Sequence, residues 1–380
     1  MHTAQSAIAR VPGALTSSDR STDVSASTPF EVSLKSATTR SSHTSRASRA
    51  SRLRTALSAR LSALSLVAVA ALTLGAASLA HAADEDVPSL KGKRIAISVT
   101  GTDHYFDLKA YEAQVAEVKR LGGTPITLDA GRIDKNLVSQ LQTVITQKPD
   151  AVIQTLGTLS VIDPSLKRIR DAGIPVFTVD VPSQNSINNT TSDNWSIGSS
   201  LALKLVQSIN GKGNVLVFNG FYGVPVCAIR YDELKQVLKY YPNVKIIEPE
   251  LRDVIPNTVQ DAYAQTTALL NKYPKGQIAA IWSAWDIPQL GASKALVAAG
   301  RTEIKTFGVD GTPEVLDLLK ADNSPVGAVS AQQPALIGKT AVDNVARYLS
   351  GDKALPSDTY VPALLTTSAN LSEVKKLRGD

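Results

Sequence analysis

From about residue 91 onward, short runs of consecutive apolar residues alternate with longer segments whose apolar positions recur every three or four residues. The first run is 94–99, and the segment 107–121 after it carries Leu108, Tyr111, Val115 and Val118 at helical spacing. Gly122 and Gly123 then stop that helix. Further runs fall at 125–128, 151–156, 175–180, 214–219, 244–248, 278–283, 305–310 and 327–331. Helical patterns separate most of them, at 134–147, 164–172, 195–210, 228–240, 257–273 and 288–299. A strand without polar alternation is covered on both faces, and strands separated by helices pair in parallel. So many strands exceed what one open sheet holds well, so the pattern predicts an α/β fold of two Rossmann-like lobes. The long polar segment 181–194 follows the strand that closes the first lobe and is the natural crossing between lobes.

In such sheets ligands sit outside the carboxyl ends of the strands. The polar residues expected there are 100–103, Asp180, Asn219, Trp285, Asp286, Asp310 and Gln332. Two lobes facing each other at these ends make a cleft that can shut on a solute.

The first sixty residues break the pattern. They are rich in Ser, Thr, Ala and Arg, lack apolar periodicity, and read as a disordered leader over 1–60. An apolar run from 61 to 80 follows Arg52, Arg54 and Arg60, ends in Ala80-His81-Ala82, and gives way to Asp84-Glu85-Asp86. This is the layout of a secretory signal peptide over 61–82, although a run of this length could also just span a bilayer. Charge follows the same division. The formal charge of +6 lies wholly in residues 1–82, and the remainder is balanced, which gives no basic surface for nucleic acid. The single cysteine, Cys227, is far from the cleavage pattern, so no lipid anchor is expected and the product should be soluble.

Catalytic signatures are missing from the sequence. There is no Walker loop, no G-x-G-x-x-G after the first strand and no G-x-S-x-G elbow. With His104 as the one histidine after residue 82, neither a metal site nor a Cys/His dyad is expected. An exported α/β chain of this kind reads as a binder, not an enzyme.

Several stretches together resemble periplasmic sugar-binding proteins of the ribose/galactose type. They are Phe307-Gly308-Val309-Asp310-Gly311-Thr312-Pro313-Glu314, Ala331-Gln332-Gln333-Pro334, Ile174-Pro175-Val176-Phe177-Thr178-Val179-Asp180, Ser192-Asp193-Asn194, and Gly220 with Arg230. The resemblance runs from about 91 to 365 and implies the type I periplasmic binding protein fold, two lobes joined by a three-strand hinge. By carry-over the crossings fall near Ser192, Gln332 and Val361. The first lobe then takes 87–192 plus 333–361, and the second takes 193–332 plus 362–380. It further implies a sugar stacked on aromatic rings and ringed by hydrogen-bonding Asp, Arg and Gln. The matching ligand-binding positions are Asp103, Tyr105, Phe106, Asp180, Arg230, Trp285, Asp286, Asp310 and Gln332.

Two positions depart from that pattern. Val181 stands where the family often has Arg, and Trp285 where it often has Asn. Trp285 can serve as the stacking platform or fill space left by a smaller ligand, so a pentose, a hexose, a sugar alcohol or another small polar solute stays open. The implied role is the periplasmic solute-binding component of an ABC-type importer. It would be a monomer without cofactor or metal, closing on its solute and docking on an inner-membrane permease. The alternatives are a ligand-sensing module of a receptor system, a sugar-responsive regulator, which would need a helix-turn-helix the chain lacks, and an exported enzyme.

Overall fold

The computed structural model describes residues 87–221 and 223–379; the leader and the export segment lie outside the described residues. Two six-stranded sheets organise the described chain. In the first, β1 (Arg94–Val99), β2 (Thr124–Asp129), β3 (Ala151–Thr155), β4 (Val176–Val179), β5 (Asn188–Thr191) and β11 (Asp358–Tyr360) lie in the order β11-β5-β4-β3-β1-β2. Every pairing in it is parallel. In the second, β6 (Gly213–Phe218), β7 (Val244–Ile246), β8 (Ala280–Ser283), β9 (Lys305–Asp310), β10 (Val326–Ala331) and β12 (Leu364–Thr366) lie in the order β12-β10-β9-β8-β6-β7. Here the edge strand β12 runs antiparallel to β10, while the other pairings are parallel as expected. The chain returns to this edge by a short passage from β11, and no helix is interposed to turn it parallel.

Helices α1 (Tyr105–Arg120), α2 (Asp134–Gln147), α3 (Leu159–Asp171) and α9 (Pro334–Ser350) belong to the first sheet. The second sheet is covered by α4 (Asn194–Ser208), α5 (Pro225–Leu238), α6 (Thr258–Lys272), α7 (Asp286–Ala298), α8 (Pro313–Leu319) and α10 (Leu371–Arg378). Among the described residues no helix is long and apolar enough to cross a membrane.

Both faces of each sheet are buried. Ile95 and Ile97 of β1 pack with Phe177, Ile337 and Val345 on one face, while Ala96 packs with Leu137, Leu141 and Leu166 on the other. In the second sheet Val215, Val217 and Trp282 face α4 and α5, while Leu216 and Ile281 face Ala292 and Leu296 of α7. Each of the Val, Leu, Ile and Phe side chains among them contributes about 1.5–3 kcal/mol by leaving water. The stripe Leu137, Leu141 and Val144 shows why α2 is a helix: positions i, i+4 and i+7 share one buried face.

β5 is an unexpected strand. Its sequence, Asn-Asn-Thr-Thr, is polar yet wholly buried. The Asn188 amide donates to Pro356 O and to Thr359 Oγ1, and the Asn189 amide donates to Asp358 Oδ1 at 2.9 Å. The Asn344 amide in turn donates to Asn188 Oδ1 at 3.0 Å. With their polar groups matched, these residues can lie inside the sheet.

Three times the chain passes between the sheets: from β5 to α4, from β10 to α9, and from β11 to β12. The passages touch one another. The Val361 amide donates to Thr191 O at 2.7 Å, and the Gln333 side chain donates to Pro362 O at 2.8 Å.

Candidate functional site

The order of each sheet reverses once, at β1/β3 in the first and at β6/β8 in the second. A cavity of about 420 Å³ lies outside the carboxyl ends of these strands, lined from both lobes. Thr100 follows β1, Leu156 to Thr158 follow β3, Asp180 follows β4, Phe221 follows β6, Trp285 follows β8, and Asp310 ends β9. This is where a doubly wound sheet places a ligand, because the loops diverge at the switch point.

Arg230, one turn into α5, organises the second lobe's side. It is almost fully buried. Its Nε donates to Asn194 Oδ1 at 2.8 Å, Nη1 to Ala284 O at 2.9 Å and Nη2 to Gln332 Oε1 at 3.0 Å. Nη1 also stands 3.8 Å from Asp310 Oδ1. Asp310 and Asp180 both adopt positive φ, 114° and 58°, at the points where the chain leaves a strand. Burial raises the pKa of Asp310 well above the ordinary carboxylate value, the neighbouring Asp286 adds to this, and Arg230 opposes it. Burial also raises Asp180, which accepts a 2.5 Å hydrogen bond from Thr191 Oγ1.

On the first lobe, Arg132 donates from Nε to Asp103 Oδ1 at 2.8 Å and from Nη2 to Asp107. Burial pushes Asp107 up to about 6 against the pull of Arg132. His104, at the start of α1, is pushed down to about 4, first by burial and then by the Arg132 charge. Asp103, His104 and Asp107 offer possible metal-ligand atoms within 4.8 Å of one another. The guanidinium of Arg132 already bridges the two carboxylates, so their negative charge is met by a fixed side chain.

Trp285 forms much of the apolar wall. Its indole N–H donates to Asp253 Oδ2 at 2.8 Å, and Phe221 meets it edge-on with centroids 5.4 Å apart. The His104 ring comes across from the other lobe to a centroid distance of 4.6 Å. Burial raises Asp253 to about 6, the indole bond opposing the shift.

Residues 95–353 match the family model described as a periplasmic binding protein domain. The chain belongs to this family. Its members are substrate-binding proteins of ABC importers, not enzymes, and they work in the periplasm and hand sugars to permeases. Among solved structures, an ABC transporter solute binding protein from Agrobacterium vitis with bound allitol is 68% identical, with a TM-score of 0.75 over 76% of this chain and 100% of that one. An ABC sugar transporter subunit from Rhodobacter sphaeroides is 60% identical, with a TM-score of 0.73 over 74% of this chain and 100% of that one. Among curated relatives, the D-apiose import binding protein of Paraburkholderia graminis is 27% identical over 289 residues, 74% of this chain and 89% of its own.

In this periplasmic binding protein, five of the residues singled out from sequence line the cavity: Phe106, Asp180, Arg230, Trp285 and Asp310. Four do not. Asp103 is half exposed and holds Arg132 from outside. Tyr105 accepts at its hydroxyl from Arg378 Nη2 at 2.9 Å. Asp286 is fully buried and accepts from Thr312 N at 2.6 Å and Thr312 Oγ1 at 2.7 Å, fixing the turn after β9. Gln332 stands behind Arg230 as its acceptor. Sequence reasoning missed His104, Asp107, Arg132, Thr158 and Phe221 as lining residues. The helical spacing of 104 and 107 carried a signal for one shared face; Arg132 had none, since only the pairing of β1 with β2 brings it there.

Proposed function

We propose that this periplasmic binding protein receives a neutral sugar alcohol or sugar of about hexose size and presents it to the permease of an ABC importer. One observation carries the ligand class: the two guanidiniums at the cavity, Arg132 and Arg230, are held by acceptors of the protein, while Asp107, Asp180 and Asp310 face the space. Carboxyl groups exchange hydrogen bonds with hydroxyls, and with both guanidiniums already engaged the lining offers an anionic solute no unpaired cation. The apolar wall of Phe106, Phe221, Val224 and Trp285 suits the C–H groups of a polyol. The allitol complex of the 68% identical Agrobacterium protein and the apiose and ribose import binding proteins among the relatives support the same class.

The three passages between the sheets would be the hinge, dividing lobes at about 192, 332 and 361. Closure would bring lining residues of both lobes onto the solute. The segment 61–82 would export the chain and be removed, and the mature protein would act as a monomer. Titration calorimetry of the purified protein tests the assignment. Allitol should bind saturably at one per chain, whereas a sugar phosphate should not. Failure of allitol and of a panel of hexitols, pentitols and aldoses to bind would overturn it.

A further inference from the structure

We infer that the contact between His104 and Trp285 makes the site select open-chain polyols over cyclic sugars. The inference rests on reading the cavity as a polyol site and concerns a contact, His104 with Trp285, that reading does not use.

A pyranose gains its apolar contact by laying a ring face on an aromatic. To admit a sugar ring, two facing aromatic surfaces must stand about 7–8 Å apart, two van der Waals contacts of roughly 3.5–4 Å. His104 and Trp285 reach each other from opposite lobes, and their centroids are 4.6 Å apart at an interplanar angle of 56°. No sugar ring passes between them. Nor can the indole readily turn aside: its N–H is tied to Asp253 at 2.8 Å, and Phe221 meets it edge-on at 81°. His104 is held in turn at the amino end of α1, with Nε2 3.4 Å from Asp103 Oδ2 and only 13% of its side chain exposed.

The polar groups favour the same shape. Asp107 faces the space from the first helix of one lobe, Asp180 from the end of β4, and Asp310 from the other lobe. Their carboxylates are close enough for Asp107 and Asp180 each to raise the proton affinity of Asp310. An alditol can rotate about each C–C bond and point successive hydroxyls at acceptors on both sides. A pyranose holds its hydroxyls in one girdle, and the approach of His104 to Trp285 leaves its ring no place between the two.

Calorimetry with allitol and with D-allose, the aldose of the same hydroxyl configuration that is cyclic in water, reads the selection directly. The wild-type protein should bind allitol at least tenfold more tightly than D-allose. His104→Ala should reduce that preference about tenfold, chiefly by gaining affinity for D-allose, and Trp285→Leu should shift it the same way; thermal unfolding of each variant verifies the fold. Equal affinities in the wild type, or a preference unchanged in both folded variants, would overturn the inference while leaving the polyol reading intact. Binding of neither compound by the wild type would overturn the inference, and the broader reading falls with it only if the panel of hexitols, pentitols and aldoses also fails to bind.

Discussion

Arg378 of the last helix donates from Nη2 to the Tyr105 hydroxyl at 2.9 Å, so α10 of the second lobe grips α1 of the first. The same guanidinium donates from Nη1 to Gly311 O at 2.8 Å and lies 5.6 Å from the Tyr105 ring centroid. This contact spans the lobes without lining the cavity. Losing the Tyr105 bond should therefore penalise the arrangement in which the lobes meet. Hydrogen bonds to a charged group contribute about 1.5–3 kcal/mol, and partial exposure discounts that. Arg378→Ala should weaken allitol binding by roughly 3- to 10-fold, and solution scattering should show a larger radius of gyration at subsaturating ligand. Tyr105→Phe should act in the same direction, and the double variant should fall short of the sum. Unchanged affinity in both single variants would show that the contact has no part in closure.

Arg230 is positioned by acceptors from three separate elements: Asn194, Ala284 O and Gln332. Lysine keeps the charge but not the planar fork. In Arg230→Lys at least one of these buried acceptors is left without a donor, at a cost of about 1–3 kcal/mol. Asp310, 3.8 Å from the guanidinium, also loses its fixed counter-charge. Allitol affinity should fall tenfold or more, about 1.4 kcal/mol, and the unfolding midpoint in urea should drop. Retention of wild-type affinity would mean that Asp310 and Asp180 bind the solute without this support.

The site gives a defined pH signature. His104 drops from its ordinary 6.5 to about 4, through burial and then the Arg132 charge, with Asp103 opposing. Between about 4 and 6.5 the unfolded chain therefore holds a proton that the folded one does not. By linkage, acidification through that window favours unfolding through this group. Asp107, Asp253 and Asp286 act oppositely: burial lifts each from 3.8 to about 6, so the folded protein takes up these protons first and gains stability as pH falls from about 6 to about 4. His104→Gln removes only the first effect. The unfolding temperature of the variant relative to wild type should rise steadily as pH falls from about 6.5 to about 4, and stay level above about 7. A difference independent of pH would show that the folded protein tolerates a charged imidazole beside Trp285.

The layer architecture was legible because strands such as Ala151–Thr155 and Ala280–Ser283 are apolar or buried throughout and helices such as Asp134–Gln147 carry a clean stripe. β5 was not, because its Asn and Thr side chains are matched by Asn344, Asp358 and Thr359, far along the chain. Asp180 and Asp310 could be singled out at strand ends because topology fixes what lies there. Within 103–107 the register of the helix start was the difficulty. Phe106 faces the cavity together with His104 and Asp107, while Asp103 and Tyr105 turn to Arg132 and Arg378. Local spacing alone does not settle a rotation of about 100° per residue at a helix's first turn.

Gly338 sets the distance between the helix that carries these residues and the rest of the first lobe. It lies on α9 where that helix crosses α1. A Cβ built there would stand 2.2 Å from Ala110 O and 3.0 Å from Ala110 C. Both atoms are backbone, so the strain cannot be relieved by a side-chain rotation and the two helices must part. In an exposed helix, replacing Gly with Ala adds about 0.8–1 kcal/mol of stability. Overpacking against a fixed neighbour costs about 1–3 kcal/mol and should exceed that gain here. Displacement of α1 would also carry Phe106 and Asp107 away from the cavity. Gly338→Ala should therefore lower the urea midpoint and weaken allitol binding together, although residue 338 does not line the site. A variant more stable than wild type, with unchanged affinity, would show that α1 and α9 can separate without moving the site.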